Sequence, residues 1–383
     1  MTSSVRPRVL VVVGTRPEGI KLAPVVDGLR ARAAEVDVRL ALTGQHTELM
    51  DQVLQVFGLA VDWDLGIMKE GQSLYDVAHG CLEGLRGVVT EFRPDMILVQ
   101  GDTASVFFGA LVGFFERVRV GHVEAGLRSG DKWRPYPEEI LRRLTGVVAD
   151  VHFAPTPGAR AHLLAEDVPA PAIHVMGNTV VDALLRIAER PHEPRDAALR
   201  AALASGLRLV LVTAHRRESF GAPLREAFAA LREIADRFED VVLLYPVHPN
   251  PQVRAPAEEV LGGHARIRLT APLDYFDLLL ALRRATLAIT DSGGIQEEAP
   301  SFGTPVLVLR EVTERPEAVE AGVAHLVGTD RALIVREAAR VLDAGNGGSR
   351  VENPYGDGRA GERIADTVVH LLAGSPRRTA DWR

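Results

Sequence analysis

Short apolar runs rich in β-branched residues alternate with amphipathic stretches along most of the chain, and this alternation limits the folds it can adopt. The first runs are Val9–Val13, Val36–Leu42 and Met96–Gln100, with amphipathic stretches such as Lys21–Ala33 and Ser73–Glu91 between them. Strands that alternate with helices form parallel βαβ units, whose sheet is covered on both faces. The sequence therefore predicts an α/β protein with parallel sheets.

The alternation is interrupted by a polar, proline-containing segment, Ala188–Arg200, and then restarts. At roughly 150 residues per domain, a chain of 383 residues is expected to contain two domains. We predict two Rossmann-like domains facing a cleft, at residues 1–177 and 178–360. A helical pattern at 361–374 is predicted to cross back to the N-terminal domain, and the tail at 375–383 is predicted to be disordered.

Charge and cysteine content exclude several classes of partner. The formal net charge is −7, which argues against nucleic acid, because phosphate backbones require a dense basic face. Cys81 is the only cysteine, so the chain can form neither an internal disulfide nor a thiolate metal cluster. No signal-peptide core begins the sequence, and no apolar run approaches the ~18 residues of a membrane-spanning helix. We expect a cytoplasmic protein without nucleic-acid or membrane partners.

The loop after the first predicted strand has features of an anion site. Ligands of open parallel sheets bind beyond the carboxyl ends of the strands. Gly14–Glu18 combines a glycine turn, the free N–H groups of a helix start and the guanidinium of Arg16, all of which suit a phosphate. The spacing is not G-x-G-x-x-G, so a nicotinamide cofactor is not indicated. An ordinary helix start with Pro17 in its first turn is the alternative.

Ionisable side chains follow two further strands of the first domain. Asp102 either points into the cleft or caps the helix that runs from Thr103. His122 and Glu124 lie two residues apart at a strand end, so an extended backbone projects them to the same side. That pair suits acid/base chemistry, although a structural His–Glu pair is the alternative. No third ligand at a recognisable spacing supports a metal site, and we predict none.

The second domain contains two candidate phosphate loops. His215 is followed by two arginines, whose positive field attracts phosphate and lowers the pKa of the imidazole; a surface salt-bridge cluster is the alternative. Ser292-Gly293-Gly294 joins a strand to a helix, where backbone N–H groups can cradle a phosphate. Glu298, one turn into that helix, can accept hydrogen bonds from ribose hydroxyls. A simple glycine-containing turn is the alternative there.

Short motifs in a fixed order run from about residue 9 to 372: Gly14–Lys21, Thr43–His46, Gly101–Thr103, Gly121–Arg128, Pro137–Glu139, Gly177–Thr179, His215–Glu218, Tyr245–His248, Asp291–Ser301, Thr313–Glu317 and Asn353–Gly358. Each is weak alone, and together they are highly specific. This set resembles the non-hydrolysing UDP-N-acetylglucosamine 2-epimerases. The resemblance implies a glycosyltransferase-B-like fold, an active site between the domains, a homodimer, and no metal or cofactor.

The resemblance also implies a reaction. UDP-N-acetylglucosamine is reversibly converted into UDP-N-acetylmannosamine by loss of UDP from C1 and of the proton from C2, through a 2-acetamidoglucal intermediate. UDP then adds back while C2 is protonated on the opposite face, so at least two acid/base groups are expected. Matched motif by motif, the catalytic residues are Asp102, Glu124, Glu138 and His215. The helix start at Pro137 and Glu138 would otherwise be interpreted as structural.

Substrate-binding residues follow from the same match. Arg16, His215, Ser292, Gly293 and Gly294 would hold the diphosphate. Glu298 would bind the ribose and Arg315 would support the leaving group. Lys21 and Arg142 are assigned to the substrate site as well.

Some family members are activated by a second substrate molecule, and Gln45, Gln72 and His248 match that region. The segment around Gln72 lacks the arginine that some relatives carry, and Leu141 stands where many relatives have asparagine.

Three other functions are alternatives: a glycosyltransferase that shares the UDP site, a hydrolysing epimerase, and a non-enzymatic nucleotide-sugar sensor. The several carboxylates of the first domain argue against a transferase or a sensor, because neither needs them for proton transfer.

Overall fold

The structure is a computed structural model that describes residues 6–44, 48–67, 69, 71–345 and 352–382. The chain divides into two compact units, Met1–Ala183 with Tyr355–Arg383, and Leu184–Pro354. The first division follows residue 183 rather than the predicted 177, and the chain rejoins the first unit at residue 355 rather than 361.

Within the described residues, the first unit contains a seven-stranded parallel sheet in the order β3-β2-β1-β4-β5-β6-β7. Its strands are β1 (Arg8–Val13), β2 (Asp37–Leu42), β3 (Trp63–Asp64), β4 (Met96–Gln100), β5 (Arg119–Val123), β6 (Val151–Ala154) and β7 (Ile173–Val175). Its flanking helices are α1 (Arg16–Arg30), α2 (Glu48–Phe57), α3 (Leu74–Phe92), α4 (Ala104–Phe115), α5 (Glu138–Val148) and α6 (Pro157–Ala165); α7 (Thr179–Ala188) runs into the second unit.

The second unit contains, in its described part, a six-stranded parallel sheet in the order β10-β9-β8-β11-β12-β13. The strands are β8 (Arg208–Thr213), β9 (Val241–Pro246), β10 (Ile267–Thr270), β11 (Ala285–Thr290), β12 (Val306–Val308) and β13 (Ala324–Leu326). The helices are α8 (Ala197–Ala204), α9 (Ala222–Arg237), α10 (Pro251–Leu261), α11 (Tyr275–Arg284), α12 (Gly293–Glu298), α13 (Pro316–Glu320) and α14 (Arg331–Ala344). The short strands β3 and β13 were absent from the sequence prediction.

Apolar burial explains why the central strands form. Val9–Val13 of β1 and Met96–Val99 of β4 are buried along their whole length, as expected for strands covered on both faces. In the second unit, Phe228 of α9 and Tyr245 of β9 pack with their rings 5.7 Å apart inside the core. Each unit therefore has its own hydrophobic core.

Strand order places one switch point in each sheet. In the first unit β1 lies between β2 and β4, and in the second β8 lies between β9 and β11. The loops after β1 and β4 thus leave the sheet side by side, as do the loops after β8 and β11. Ligands of doubly wound sheets bind at such positions.

The chain returns to the first unit through α15 (Ala360–Ala373), which packs closely on α1. A Cβ at Gly28 would collide with Ala365, and one at Gly361 would collide with Pro24. Glycine at these two positions is therefore what lets the helix backbones approach.

The tail is ordered through residue 382, so its predicted disorder is wrong there; residue 383 lies outside the described residues. The buried Asp366 carboxylate of α15 accepts hydrogen bonds from the backbone N–H groups of Arg378 at 2.6 Å and Thr379 at 2.8 Å. The Trp382 N–H donates to the Val175 carbonyl at 2.7 Å, which joins the tail to the end of β7. A buried carboxylate that needs hydrogen-bond donors explains why a polar segment becomes ordered.

Crossing a bilayer requires a helix that is both long and apolar, because the hydrocarbon core is about 30 Å thick. None of the helices in the described part of the chain meets both conditions.

Candidate active site

Three carboxylates predicted to be catalytic follow neighbouring strands of the first sheet, two of them on loops and the third at the start of a helix. Gln100 of β4 pairs with Val123 of β5. Asp102 follows two residues after β4, and Glu124 follows one residue after β5. Glu138 is the first residue of α5. Parallel register therefore carries Asp102 and Glu124 to the same end of neighbouring strands.

Glu124 has an unusual backbone and a direct charged partner. Its φ is +64°, a conformation that is uncommon for residues other than glycine and that clusters at functional sites. Its Oε2 accepts a hydrogen bond from Lys21 Nζ at 2.5 Å, and both side chains are largely buried. Lys21 of α1 therefore fixes the position of the Glu124 carboxylate.

The predicted pairing of His122 with Glu124 on one strand face is wrong. β5 ends at Val123, and the positive φ of Glu124 breaks the alternation on which that prediction depended. His122 is buried, and its Nε2 lies 2.7 Å from the Gly101 carbonyl. Burial lowers the pKa of His122 to about 3. The ring is therefore neutral, and it braces the turn that precedes Asp102.

Asp102 has a partner that is distant in sequence. Arg142 NH2 donates to Asp102 Oδ2, and Arg142 NH1 donates to Glu139 Oε2 at 2.7 Å. Glu139 Oε2 also accepts from the Ser129 N–H at 3.0 Å. The N-cap of α4 is Thr103, so the capping alternative for Asp102 is wrong. Instead, the carboxylate is oriented by a buried arginine.

Glu138 is positioned differently from the other two carboxylates. Its Oε2 is buried and makes no hydrogen bond within the described part of the chain. A buried polar atom without a partner is rare and calls for an explanation. A carboxylate oxygen that meets its partner only in a bound substrate is one such explanation.

The first loop combines a fixed turn with an available guanidinium. Arg16 is half-buried at the first position of α1, and no hydrogen bond or ion pair involves its side chain among the described residues. Glu18, two residues later, is buried and accepts the Gly14 N–H at 2.6 Å. Burial raises the pKa of Glu18 to about 7, and its hydrogen-bond donors oppose that rise.

In the second unit, Asp291 organises the loop that contains His215. Its Oδ2 accepts the backbone N–H groups of His215 at 2.6 Å and Arg216 at 2.7 Å. Its Oδ1 lies 3.2 Å from Nδ1 of the His215 ring. Burial lowers the pKa of His215, the charge of Asp291 opposes this, and the charge of Arg216 lowers the pKa further, in the direction predicted from the sequence.

The glycine loop after β11 lies against Arg315. A Cβ at Gly293 would collide with the Arg315 guanidinium, so glycine is required for this approach. Arg315 donates to Glu297 at 2.7 Å and to Glu314 at 2.5 Å. Burial raises the pKa of Glu314, but the charges of Arg315 and Arg310 bring it down to about 2. This loop therefore lies beside a network of compensated charges.

Ser292 and Glu298 lie at the two ends of α12. Ser292 is the N-cap, and among the described residues a Cβ at Gly294 would meet Ser292 Oγ alone, at 3.8 Å. Glu298 is buried at the other end of this short helix, and its Oε1 accepts from the Tyr275 hydroxyl at 3.0 Å. Tyr275 therefore orients the carboxylate predicted to bind ribose.

The three residues predicted to contact a second substrate molecule have different surroundings. Gln45 lies outside the described residues. Both polar atoms of the Gln72 amide bond within its own segment, to the Lys69 N–H at 2.6 Å and to the Ile67 carbonyl at 2.7 Å. His248 is exposed, and its ring stacks on that of His215 at 5.6 Å.

One group of possible metal ligands occurs among the described residues, at His192, Asp274 and Asp277. His192 Nε2 lies 2.6 Å from Asp277 Oδ1. Asp277 also accepts the backbone N–H groups of Arg195 and Asp196, the latter at 2.7 Å. These contacts give the group a structural role, because they fasten the segment after α7 to α11.

Several residues that build the site were missed from the sequence. Glu139 and Asp291 act through contacts that join distant segments, and no local pattern reveals them. The sequence likewise gives no signal that Tyr275 is a partner of Glu298. Glu18 had a usable signal, since Thr15 and Glu18 have the spacing of a capping box, in which the glutamate binds backbone N–H groups at the helix start.

Known proteins are similar to this chain along most of its length. A family model described as UDP-N-acetylglucosamine 2-epimerase matches residues 29–369. The UDP-N-acetylglucosamine 2-epimerase of Escherichia coli strain K12 is 46% identical over 371 residues, which cover 94% of this chain and 98% of that protein. The chain belongs to the UDP-N-acetylglucosamine 2-epimerase family. The predicted family and the predicted enzyme class, an isomerase, are thereby confirmed.

Solved structures agree with the predicted fold. The UDP-GlcNAc 2-epimerase of Neisseria meningitidis, in a crystal structure bound to UDP-GlcNAc, is 38% identical and has a TM-score of 0.86, covering 94% of this chain and 99% of that one. A glycosyltransferase of kitacinnamycin is 14% identical, with a TM-score of 0.57 over 97% of this chain and 95% of that one. This second likeness shows the fold alone. The predicted α/β, glycosyltransferase-B-like class is confirmed.

The buried neutral state of His122 predicts a pH-dependent stability. Its pKa is about 3 in the folded protein, against an ordinary value of 6.5. Only the unfolded chain takes up this proton between those values, so the free energy of unfolding falls as the pH drops below about 6.5. At 1.36 kcal/mol per pH unit, the loss at pH 5 is about 2 kcal/mol. We expect His122→Gln to lack this loss of about 2 kcal/mol between pH 7 and pH 5. The measurement is the free energy of unfolding in urea at the two pH values.

The matched control is His79→Gln, because the His79 side chain is 81% exposed. This variant should keep the pH dependence of the wild-type protein. If His122→Gln also keeps the pH dependence of the wild-type protein, the inference that the buried His122 ring is neutral is wrong.

Proposed function

We propose that this protein interconverts UDP-N-acetylglucosamine and UDP-N-acetylmannosamine by inverting C2, without net hydrolysis. The observation that carries the proposal is a set of three carboxylates in a chain of this family: Asp102 and Glu124 on the loops after β4 and β5, and Glu138 at the start of α5. Binding a nucleotide sugar does not require such a set, whereas moving a proton at carbon does.

The proposed reaction is an elimination followed by an addition. A carboxylate removes the C2 proton, the C1–O bond breaks, and its electron pair leaves with the β-phosphate oxygen of UDP. The C2–H electron pair becomes the C1=C2 double bond of 2-acetamidoglucal. In the second half, a UDP oxygen attacks C1 while C2 takes a proton on the opposite face.

Two faces of C2 require at least two proton-transfer groups, and the first unit offers oriented candidates. Glu124 is held by Lys21, and Asp102 by Arg142. A charge-assisted hydrogen bond of this kind holds a carboxylate in one direction. Glu138, with a buried oxygen that lacks a hydrogen bond among the described residues, is the third candidate.

The groups proposed to bind the diphosphate are positive or rich in N–H donors. In the first unit, Arg16 supplies a guanidinium without a partner among the described residues. In the second unit, Nδ1 of His215 faces Asp291, which leaves Nε2 for a ligand, and Arg315 lies against Gly293. Arginine binds phosphate oxygens with a fixed fork of donors and so suits a departing diphosphate.

Other substrate contacts complete the proposal. Glu298 binds the ribose, and Ser292 with Gly294 adds donors near the phosphates. Gln72 and His248 remain predictions as contacts to a second substrate molecule. A cytoplasmic location also remains a prediction, in keeping with a single cysteine, Cys81.

We further propose a homodimer that covers an apolar surface on the first unit. Three large side chains at the C-terminal ends of the neighbouring helices α4 and α5 are more than half exposed: Phe114 at 59%, Phe115 at 62% and Val147 at 81%. Contiguous exposed apolar patches mark association sites. A second copy of this chain is the occupant that the family resemblance implies.

The function is tested by proton NMR of UDP-N-acetylglucosamine with the purified protein in D2O, without added metal or nicotinamide. We expect a second anomeric signal from UDP-N-acetylmannosamine and entry of deuterium at C2. Free N-acetylmannosamine with UDP would instead identify a hydrolysing enzyme. No reaction would favour a glycosyltransferase or a different UDP-sugar, and either result would overturn the proposal.

Asp102→Asn should bind UDP within about twofold of the wild-type affinity while losing about 100-fold or more in kcat, because a proton-transfer group is removed. Arg142 keeps Glu139 as its partner, so the fold should survive. UDP affinity is measured by calorimetry and kcat by NMR. Asp343→Asn, at an exposed position, is the control and should match the wild-type protein. Normal kcat per bound complex in Asp102→Asn would refute its assigned role.

The dimer is tested by light scattering of the purified protein. We expect a mass of about twice the chain mass of 41.5 kDa. Phe115→Arg should yield monomers, because a buried arginine without a partner is costly. Val312→Arg, at a position that is 72% exposed in the second unit, should remain dimeric. A monomeric wild-type protein would overturn this part of the proposal.

A further inference from the structure

We propose that Glu18 is a positioning residue for the C2 chemistry. Its carboxylate clamps the first loop (Gly14–Arg16) to the second loop (Gly101–Thr103), and so orients Asp102 and Arg16 relative to each other. This inference rests on the proposed function, in which Asp102 moves a proton and Arg16 binds the diphosphate.

The clamp is a carboxylate with four hydrogen-bond donors from two loops. Glu18 Oε2 accepts the N–H groups of Gly14 at 2.6 Å and Thr15 at 3.3 Å. Glu18 Oε1 accepts the hydroxyls of Thr15 at 3.0 Å and Thr103 at 2.7 Å. Three of these donors belong to the first loop, while Thr103 is adjacent to Asp102 in the second. One side chain therefore connects the ends of β1 and β4.

Thr103 shows that this connection replaces a local interaction. Threonine at an N-cap usually accepts a hydrogen bond from a backbone N–H of its own helix. Thr103 is the N-cap of α4, yet its side chain makes no such capping bond. Its hydroxyl donates instead to Glu18. The helix start next to Asp102 is thus tied to α1.

Close packing of the two loops limits their freedom to move apart or slide. A Cβ at Gly14 would collide with Ser105 of α4 and would press on Glu18 itself. Ser105 Oγ lies 2.9 Å from Thr43 Oγ1, which adds the end of β2 to the same contact. Glycine at position 14 is therefore required for the clamp to close.

Burial separates this role from direct catalysis. Glu18 is only 2% exposed, and both carboxylate oxygens are occupied by donors from the protein. It therefore acts through Asp102 and Arg16. A misplacement of a reacting group by about 1 Å is enough to slow an enzyme strongly, because reactivity depends on near-attack geometry.

The test compares variants of Thr103 and Glu18 in the full-length protein. Thr103→Val removes the donated hydrogen bond and should lower kcat about tenfold with little change in KM or Tm, whereas Thr103→Ser keeps the hydroxyl and should keep wild-type kcat. Glu18→Gln should lower kcat and also weaken UDP binding, because it loosens the loop of Arg16. In the double variant the loss in kcat should be smaller than the product of the two single losses, because both substitutions act on the contact between Glu18 and Thr103.

Thr367→Val is the matched control, because it removes a buried threonine hydroxyl bond in α15, to the Arg363 carbonyl; its kcat should equal that of the wild-type protein. If wild-type protein exchanges deuterium into C2 but Thr103→Val keeps full kcat, the positioning role is overturned while the proposed function stands. Equal kcat losses in Thr103→Ser and Thr103→Val would also overturn it. If the wild-type protein leaves the substrate unchanged, the proposed function itself fails, and this inference fails with it.

Discussion

Parallel pairing of β1 with β4, and of β4 with β5, is the constraint on which the first half of the site depends. Because the three strands run in the same direction, their carboxyl ends leave the sheet at one edge. Residues 103 positions apart, Lys21 and Glu124, can then form an ion pair. The second unit repeats the principle with β8 and β11, whose loops are joined by the hydrogen bonds of Asp291 to His215 and Arg216.

Several charges in each unit occur in oriented pairs. Asp102 shares Arg142 with Glu139, and Arg315 is shared by Glu297 and Glu314. Taking an ion out of water is costly unless a partner and further hydrogen bonds compensate it. Such pairs also hold a functional group in one direction before substrate arrives, which is a requirement for efficient proton transfer. The site therefore consists largely of carboxylates whose oxygens accept hydrogen bonds from specific side chains or backbone N–H groups of the protein.

Much of the fold could be predicted because its signals are local. Apolar runs located the long strands closely, as Met96–Gln100 illustrates, and the family was evident from ordered motifs. The two-residue strand β3 was missed because so short a segment has no periodicity. The tail at 375–382 was misjudged because its order comes from Asp366, a buried carboxylate on another element. His122 and Glu124 were misjudged because the sequence does not display a backbone φ of +64°.

By itself, the sequence determined which chemical groups follow the strands, since a strand end and its loop are adjacent in the chain. It thereby determined the α/β class and the candidate carboxylates, arginines and glycines. Only the tertiary structure decided which of these groups touch. In the folded chain Arg142 binds Asp102, and the buried, neutral His122 contacts the Gly101 carbonyl. Glu18 accepts hydrogen bonds from two loops. The physical reason is that hydrogen bonds and ion pairs depend on distances between segments far apart in sequence, and packing sets those distances.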